Sequence, residues 1–206
     1  MMVKVCGMTR ADNIRDIEAL GIDWMGFIFY PKSPRCVSSL PSYLPQQARR
    51  VGVFVNASPS DIAEADSLWH FDLLQLHGQE TPETCSYWQG RGKQVIKAFS
   101  IATAEDLTAT ARYAGTCDYY LFDTKTPAYG GSGQRFDWQL LQAYRGDTPF
   151  LLSGGIDPDS AQALLHFSHP QWAGIDLNSR FETSPGVKDP ERIRQLLEQL
   201  RMKNEE

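Results

Sequence analysis

The sequence has little of what marks membrane, secreted and metal-cluster proteins. No apolar run reaches the roughly 18 residues that a membrane helix needs, and the first ten residues lack the segment of about 7–15 apolar residues found in signal peptides. The four cysteines, Cys6, Cys36, Cys85 and Cys117, form no Cys-x-x-Cys pair, so they predict neither a zinc site nor a disulfide framework. We therefore expect a cytoplasmic protein with free thiols and no membrane contact.

The chain also lacks an excess of basic residues. Twenty Lys and Arg stand against twenty-five Asp and Glu, for a formal net charge of −5, which argues against a nucleic-acid partner. A hydrophobic content of 42% in 206 residues is enough for a full core. We expect one domain over residues 1–206, with a frayed tail at 203–206. A monomer and a homodimer both remain open.

Short β-branched or aromatic runs alternate with segments of helical character. The predicted strands are Val3–Cys6, Met25–Phe29, Val51–Val55, Leu73–His77, Gln94–Phe99, Tyr119–Asp123, Pro149–Ser153 and Ala173–Asn178. The predicted helices are Asp12–Leu20, Pro41–Arg50, Ser60–Leu68, Glu80–Gln89, Ala104–Tyr113, Asp137–Tyr144, Asp157–Leu165 and Lys188–Met202. Two prolines weaken Pro41–Arg50, so the helix predicted there is confined to Gln46–Arg50.

This alternation predicts parallel strands joined by right-handed crossovers. Eight units in 206 residues leave about 26 residues each, which suits an α/β fold of the minimal (β/α)8 TIM-barrel kind. An open, doubly wound sheet usually has five or six strands and would leave units over. In a barrel of this kind, catalytic side chains lie at the C-terminal ends of the strands and in the loops that follow them.

Cys6 ends the first predicted strand and precedes a glycine. It is either an inert buried thiol or a nucleophile or general base, which requires thiolate character. Alternate strand residues share a face, so Lys4 lies on the Cys6 side, and closure of the barrel brings Asp176 of strand eight near Lys4. We hypothesise that Lys4 stabilises the Cys6 thiolate and that Asp176 balances Lys4; the alternative places Lys4 in solvent.

Asp123 ends the apolar sixth strand, where a carboxyl group is costly unless it is solvated, paired or used. It is either a hydrogen-bonding loop residue or a general acid. Strands one and six lie on opposite sides of the barrel opening. Cys6 and Asp123 would therefore bracket a small substrate, with a base on one side and an acid on the other.

Several loop residues are candidates for binding the substrate. Gly154 and Gly155 after strand seven, with Asn178 and Ser179 after strand eight, stand where barrels commonly bind phosphate through backbone amides; the alternative is a helix-entry turn. Arg35, in the loop after strand two, either holds a substrate carboxylate by a two-pronged hydrogen bond or is solvated.

Two further features complete the candidate site. Gln75 and His77 share one face of strand four and are candidate substrate-binding residues. His77 has no second histidine or carboxylate at metal-ligand spacing, so no metal site is predicted. The glycine-rich segment Tyr129–Gln134 has no P-loop ending and is either a mobile lid beside Asp123 or a plain loop.

A set of motifs in a fixed order carries a family resemblance. They are Lys4-Val5-Cys6-Gly7-Met8-Thr9, Gly26-Phe27-Ile28-Phe29, Lys32-Ser33-Pro34-Arg35, Val51-Gly52-Val53-Phe54-Val55-Asn56, Gln75-Leu76-His77-Gly78, Leu121-Phe122-Asp123, Gly130-Gly131-Ser132-Gly133, Ser153-Gly154-Gly155-Ile156 and Pro185-Gly186-Val187-Lys188-Asp189. Together they resemble the phosphoribosylanthranilate isomerases of tryptophan biosynthesis, and the resemblance spans residues 3–200.

The resemblance implies a cofactor-free Amadori rearrangement of a phosphorylated aminosugar, N-(5-phosphoribosyl)anthranilate, to 1-(2-carboxyphenylamino)-1-deoxy-ribulose 5-phosphate. By the same resemblance, Asp123 is the general acid that opens the ribose ring and Cys6 is the general base at the sugar C2. Arg35 would position the anthranilate carboxylate. The phosphate would be held by Gly154, Gly155 and the backbone amides near Asn178 and Ser179.

One stretch departs from the family pattern. After strand eight, where the family usually has two small hydroxyl residues, a glycine and an acid, this chain has Asn178-Ser179-Arg180-Phe181-Glu182. Arg180 either contacts the phosphate or points to solvent.

Two alternatives to the main prediction are a related isomerase that serves both the histidine and the tryptophan pathway, and a non-catalytic barrel. The dual-pathway enzymes use a carboxylate where Cys6 stands and have two phosphate sites, whereas this sequence has one convincing phosphate motif. The presence of both Cys6 and Asp123 argues against a non-catalytic barrel.

Overall fold

The computed structural model describes residues 1–124 and 137–202. The predicted lid, Tyr129–Gln134, and the predicted frayed tail, 203–206, lie outside these ranges. Eight parallel strands form a closed barrel in sequence order: β1 (Met2–Cys6), β2 (Trp24–Ile28), β3 (Arg49–Phe54), β4 (Leu73–Leu76), β5 (Gln94–Ile101), β6 (Tyr119–Thr124), β7 (Phe150–Leu152) and β8 (Trp172–Leu177). Pairing of β1 with β8 closes it. The predicted TIM-barrel fold is confirmed.

Helices and turns connect the strands on the outside of the barrel. The α-helices are α1 (Ala11–Glu18), α2 (Pro59–Trp69), α3 (Pro82–Gln89), α4 (Ala161–His166) and α5 (Pro190–Met202). Four 3-10 segments, Ala104–Tyr113, Trp138–Ala143, Pro158–Ser160 and Ser179–Phe181, replace or extend helices, and a small antiparallel pair, β9 (Glu182–Ser184) and β10 (Val187–Lys188), follows β8. Lys188 therefore lies in a strand, and the predicted last helix begins two residues later, at Pro190.

The helix predicted over Pro41–Arg50 is wrong. Its last two residues open β3, and the residues before them form an irregular turn. The buried carboxylate of Glu18 holds this turn, since its Oε1 accepts the backbone N–H groups of Gln46, Gln47 and Ala48 at 2.7, 2.6 and 3.0 Å. A side chain 28 residues away thus supplies the hydrogen bonds that a helix would otherwise make within itself.

Two helices begin one or two residues from their predicted starts. α2, predicted from Ser60, begins at Pro59 and is capped by Ser58. α3, predicted from Glu80, begins at Pro82 and is capped by Thr81, whose side chain accepts the backbone N–H of Thr84. In both loops the cap fixes the chain a few residues after the end of a barrel strand.

Two apolar layers hold the barrel together. The inner layer fills the barrel with alternate strand residues, namely Cys6, Trp24, Val51, Val53, Leu73, Ile96, Ala98, Leu121 and Leu151. The outer layer packs the opposite strand faces against the helices. In the described part of the chain no helix is long and apolar enough to cross a membrane. The inward-facing positions that are not apolar, among them Lys4, Gln75, Asp123 and Asp176, are the ones that build the site.

Candidate active site

The candidate residues named from the sequence meet at one end of the barrel. Cys6 ends β1 and Asp123 lies near the end of β6, while His77, Ser153 and Asn178 directly follow β4, β7 and β8. All eight strands are parallel, so these residues share the C-terminal mouth. Asp123 and His77 both act electrostatically on Asp176, which in turn acts on Cys6. Acidic, basic and thiol groups therefore surround one opening.

Cys6 is 3% exposed, and its sulfur occupies space that a glycine leaves open. Gly26 pairs with Cys6 across β1 and β2, and a Cβ at Gly26 would lie 2.7 Å from Cys6 Sγ. No ordinary side chain fits at that distance. Gly26 therefore makes room for the thiol at the mouth. The motif Gly26-Phe27-Ile28-Phe29 was noted in the sequence, but no role was predicted for its glycine.

The predicted partnership of Lys4 and Asp176 is present. The two residues pair in register across β1 and β8, and Lys4 Nζ lies 2.7 Å from Asp176 Oδ1, with side-chain exposures of 0% and 5%. Burial alone would lower the pKa of Lys4, but the Asp176 carboxylate and the neighbouring Cys6 together raise it. Lys4 is therefore a buried, charged ammonium, and the alternative that it points to solvent is wrong.

The pKa of Cys6 is shifted upward, which is opposite to the direction expected if Lys4 makes Cys6 a thiolate. Burial raises the pKa of the Cys6 thiol, Lys4 and Lys188 act to lower it, and Asp176 adds to the increase. Burial outweighs the two cations because a buried thiolate loses its hydration. Cys6 therefore rests as a thiol at neutral pH, and Lys4 limits the increase in pKa without reversing it.

Replacing Lys4 with methionine should raise the pKa of the Cys6 thiol further, because the nearest cation is lost. A ¹³C NMR titration of protein labelled at the cysteine Cβ would measure this pKa. Lys4→Met/Asp176→Asn should show the same direction without an unpaired buried carboxylate, since Lys4 acts on Cys6 more strongly than Asp176 does. Lys93→Met, which removes an ammonium paired with Asp66, is the control. An unchanged Cys6 pKa in both Lys4 variants would refute the electrostatic role.

Asp123 lies beside His77, which in turn contacts Gln75. Asp123 is 8% exposed, and its Oδ2 lies 3.6 Å from His77 Nε2. On the other side of the ring, His77 Nδ1 lies 2.8 Å from Gln75 Nε2. Gln75 is 1% exposed and therefore sits beneath His77 in the barrel mouth.

A buried ion pair holds the loop that carries His77. Lys97 Nζ on β5 lies 3.3 Å from Glu80 Oε2 and donates to the Gly78 carbonyl at 2.8 Å. Glu80 also accepts the backbone N–H groups of Gly78 and Asn56 at 2.9 and 2.8 Å. These links tie the loops after β3 and β4 together, so they fix where His77 stands. Neither Glu80 nor Lys97 was predicted to be a site residue, because no motif in the sequence marks this pair.

Arg35 is bound to a carboxylate of this chain. Its Nε and Nη2 donate to Glu182 at 2.8 and 2.7 Å, and Lys188 also pairs with Glu182. Burial tends to raise the pKa of Glu182, but hydrogen bonding to Arg35 and the charge of Lys188 lower it overall. Glu182 is therefore an anion that holds two cations, and Arg35 is not a solvated side chain. Neither Glu182 nor Lys188 was predicted to be a site residue, although the motif from Pro185 to Asp189 contains Lys188.

The loop after β7 has two consecutive glycines in a left-handed conformation. Gly154 and Gly155 have φ of +78° and +69°, a conformation open to glycine and costly for most other residues. Successive amides in such a segment can converge on an anion. After β8, Asn178 Oδ1 accepts from Lys188 Nζ at 2.8 Å, which ties that loop to the β9–β10 pair. This is consistent with the predicted phosphate site.

No group of three or more His, Cys, Asp or Glu side chains suited to a metal ion occurs within residues 1–124 and 137–202. The predicted absence of a metal and of a cofactor stays a prediction.

Comparisons with known proteins identify the family of this chain. Residues 3–199 match the family described as N-(5'-phosphoribosyl)anthranilate (PRA) isomerase. An N-(5'-phosphoribosyl)anthranilate isomerase of Phocaeicola vulgatus is 54% identical over 203 residues, covering 98% of this chain and 99% of that protein. The crystal structure of phosphoribosyl anthranilate isomerase from Thermotoga maritima has a TM-score of 0.82 and 33% identity, covering 98% of this chain and 99% of that chain. A phosphoribosyl anthranilate isomerase in complex with reduced 1-(o-carboxyphenylamino)-1-deoxyribulose 5-phosphate has a TM-score of 0.79 and 30% identity, covering 98% and 99%.

Proposed function

The chain belongs to the N-(5'-phosphoribosyl)anthranilate isomerase family, and from this premise we propose how its residues carry out the isomerisation. It is a phosphoribosylanthranilate isomerase of tryptophan biosynthesis. The observation that carries the assignment of roles is the placement of Cys6 and Asp123 on different strands at the same barrel mouth. One group takes a proton from one side of a small sugar while the other gives a proton on the opposite side.

The reaction begins at Asp123, which protonates the ribose ring oxygen. The bond between C1 and that oxygen breaks as the lone pair of the aniline nitrogen forms a C=N bond to C1. Cys6, in its thiolate form, then removes the proton from C2. The electrons of that C–H bond form a C1=C2 double bond, and the C=N pair returns to the nitrogen as a lone pair, which neutralises the iminium. The enolamine becomes the ketone when C1 gains a proton and the C2 hydroxyl loses one. Atoms and charge balance, so the product is an isomer of the substrate.

Both anionic groups of the substrate find local partners in an acidic protein. The glycine amides after β7, with those near Asn178 and Ser179, hold the phosphate through backbone dipoles rather than net charge. Arg35 holds the anthranilate carboxylate with Nη1 and the outer N–H of Nη2, because its Nε and Nη2 already bind Glu182. This end-on geometry keeps two hydrogen bonds to the substrate.

Arg35→Lys should raise KM by about 10-fold, the order expected for losing one charge-assisted hydrogen bond, and should change kcat much less. Lysine keeps the charge but cannot bind Glu182 and a carboxylate by two edges at once. Steady-state kinetics would measure both constants, with Arg15→Lys on the exposed side of α1 as the control. An unchanged KM would remove Arg35 from the carboxylate site.

The function itself is tested by following substrate fluorescence. N-(5-phosphoribosyl)anthranilate, generated in situ, should lose its anthranilate-type fluorescence when the purified wild-type protein is added. Heat-unfolded protein provides the blank. Failure of the folded protein to consume the substrate would reject the assignment. The cytoplasmic location and the choice between monomer and homodimer remain predictions.

A further inference from the structure

Gln75 stands behind His77, on the side of the ring away from Asp123. Its amide Nε2 lies 2.8 Å from His77 Nδ1, and the opposite ring nitrogen, Nε2, lies 3.6 Å from Asp123 Oδ2. Gln75 is 1% exposed, so it offers little surface to a substrate. The three side chains form a row from the barrel interior to the candidate general acid.

We propose that Gln75 is a positioning residue that keeps the His77 proton on Nε2, so that His77 presents an N–H group to Asp123. An amide NH2 can only donate, so the nitrogen that it faces must be an acceptor. In a neutral imidazole whose Nδ1 accepts, the proton is on Nε2. The inference rests on the proposed role of Asp123 as the acid, and it replaces the substrate-binding role predicted for Gln75.

The charge that forms on Asp123 favours this orientation of the Gln75 amide. Gln75 Oε1 is one of three buried side-chain polar atoms, within the described ranges, that have no hydrogen-bond partner. Turning the amide over would exchange its oxygen and its NH2 group and leave the NH2 group unpartnered instead, so hydrogen-bond satisfaction alone does not choose between the two orientations. The turned amide would also place the proton on His77 Nδ1 and turn the lone pair of Nε2 toward Asp123 Oδ2, which is unfavourable once Asp123 is an anion.

The benefit to the reaction is a difference between two states of Asp123. As a neutral acid, Asp123 gains little from a neighbouring N–H group. As the carboxylate left after ring opening, it accepts a charge-assisted hydrogen bond, which is roughly twice as strong as a neutral one. The resting separation of 3.6 Å leaves room for His77 to close on the carboxylate when the charge forms. An interaction made mainly in the charged state speeds proton transfer.

Nitrogen NMR of histidine reports the tautomer directly. In ¹⁵N-histidine-labelled wild-type protein, the signals of His77, identified by their absence in His77→Asn, should show a proton on Nε2. In Gln75→Glu the carboxylate can only accept, so the proton should move to Nδ1 or both nitrogens should be protonated. In Gln75→Met, which keeps the volume and removes the amide, the two tautomers should mix.

Catalysis should follow the tautomer. Gln75→Met should lower kcat by about 3- to 10-fold, the order of one neutral hydrogen bond, with KM nearly unchanged. Gln94→Met is the matched control, since Gln94 also has a buried, unpartnered Oε1 but stands at the start of β5, away from the mouth; it should leave the tautomer and kcat as in wild type.

Two results would overturn the proposal. One is a proton on His77 Nδ1 in the wild-type protein, which needs no variant to fold. The other is a wild-type kcat in a Gln75 variant whose tautomer has changed. A wild-type protein that shows the Nε2 proton but no turnover would reject the proposed function, on which the role of Asp123 rests, so the two failures are distinguishable.

Discussion

Asp123→Asn is expected to lower kcat by about 10²–10⁴-fold, the usual contribution of a general acid, with a small change in KM. Asparagine has nearly the shape of aspartic acid and keeps a polar side chain beside His77, but it has no acidic proton to give to the ring oxygen. The ring must then open without assistance. A continuous fluorescence assay with saturating substrate would measure kcat.

The control for Asp123→Asn is Asp16→Asn, which removes the same charge from an exposed position on α1 and should leave kcat unchanged. Circular dichroism and thermal unfolding would show whether the variant is folded. A folded Asp123→Asn protein with kcat within a few-fold of wild type would refute the role of Asp123, although the family membership would stand.

Cys6→Ala should cause a loss of similar size, about 10²–10⁴-fold in kcat, because no group is left to remove the C2 proton. The matched control is Cys117→Ala, which also removes a buried thiol, 7% exposed compared with 3% for Cys6, at a position just before β6 and outside the mouth. Substantial turnover by folded Cys6→Ala would remove Cys6 from the mechanism.

The pH dependence gives a second check on Cys6. The base is active as a thiolate, and burial raises the pKa of this thiol despite Lys4 and Lys188. The thiolate fraction therefore grows as pH rises toward that pKa, and kcat/KM should increase through the alkaline range. In Cys6→Asp, a carboxylate ionises at lower pH than a thiol, so the rise should move to lower pH. A wild-type profile that is flat from neutral to alkaline pH would contradict a thiol base.

Much of the fold could be predicted because its determinants are local. The barrel strands are short runs, most of them rich in β-branched or aromatic residues, and each was predicted to within about two residues of its observed bounds. The failure at Pro41–Arg50 has the opposite cause. That turn depends on the Glu18 carboxylate, and a hydrogen bond from a distant helix leaves no pattern in the turn itself.

The same division holds in the site. Alternation along a strand was enough to place Lys4 beside Cys6, and closure of the barrel was enough to bring Asp176 to Lys4, as the 2.7 Å contact shows. Glu182 could not be paired with Arg35 in this way, because Arg35 lies in the loop after β2 and Glu182 opens β9, which is not a strand of the barrel, so no barrel register relates their positions.

The sequence by itself determined the eight-strand barrel, the end of the barrel at which function lies, and the identity of the acid and base candidates. These follow from periodicity, from the order of motifs and from chain closure. Only the tertiary structure decided how strongly each group is charged and which way it is held. The protonation of Cys6 depends on a balance between burial and three neighbouring charges, and the orientation of His77 depends on its contacts with Gln75 and Asp123. Both depend on distances between side chains in three dimensions, and no pattern along the sequence specifies those distances.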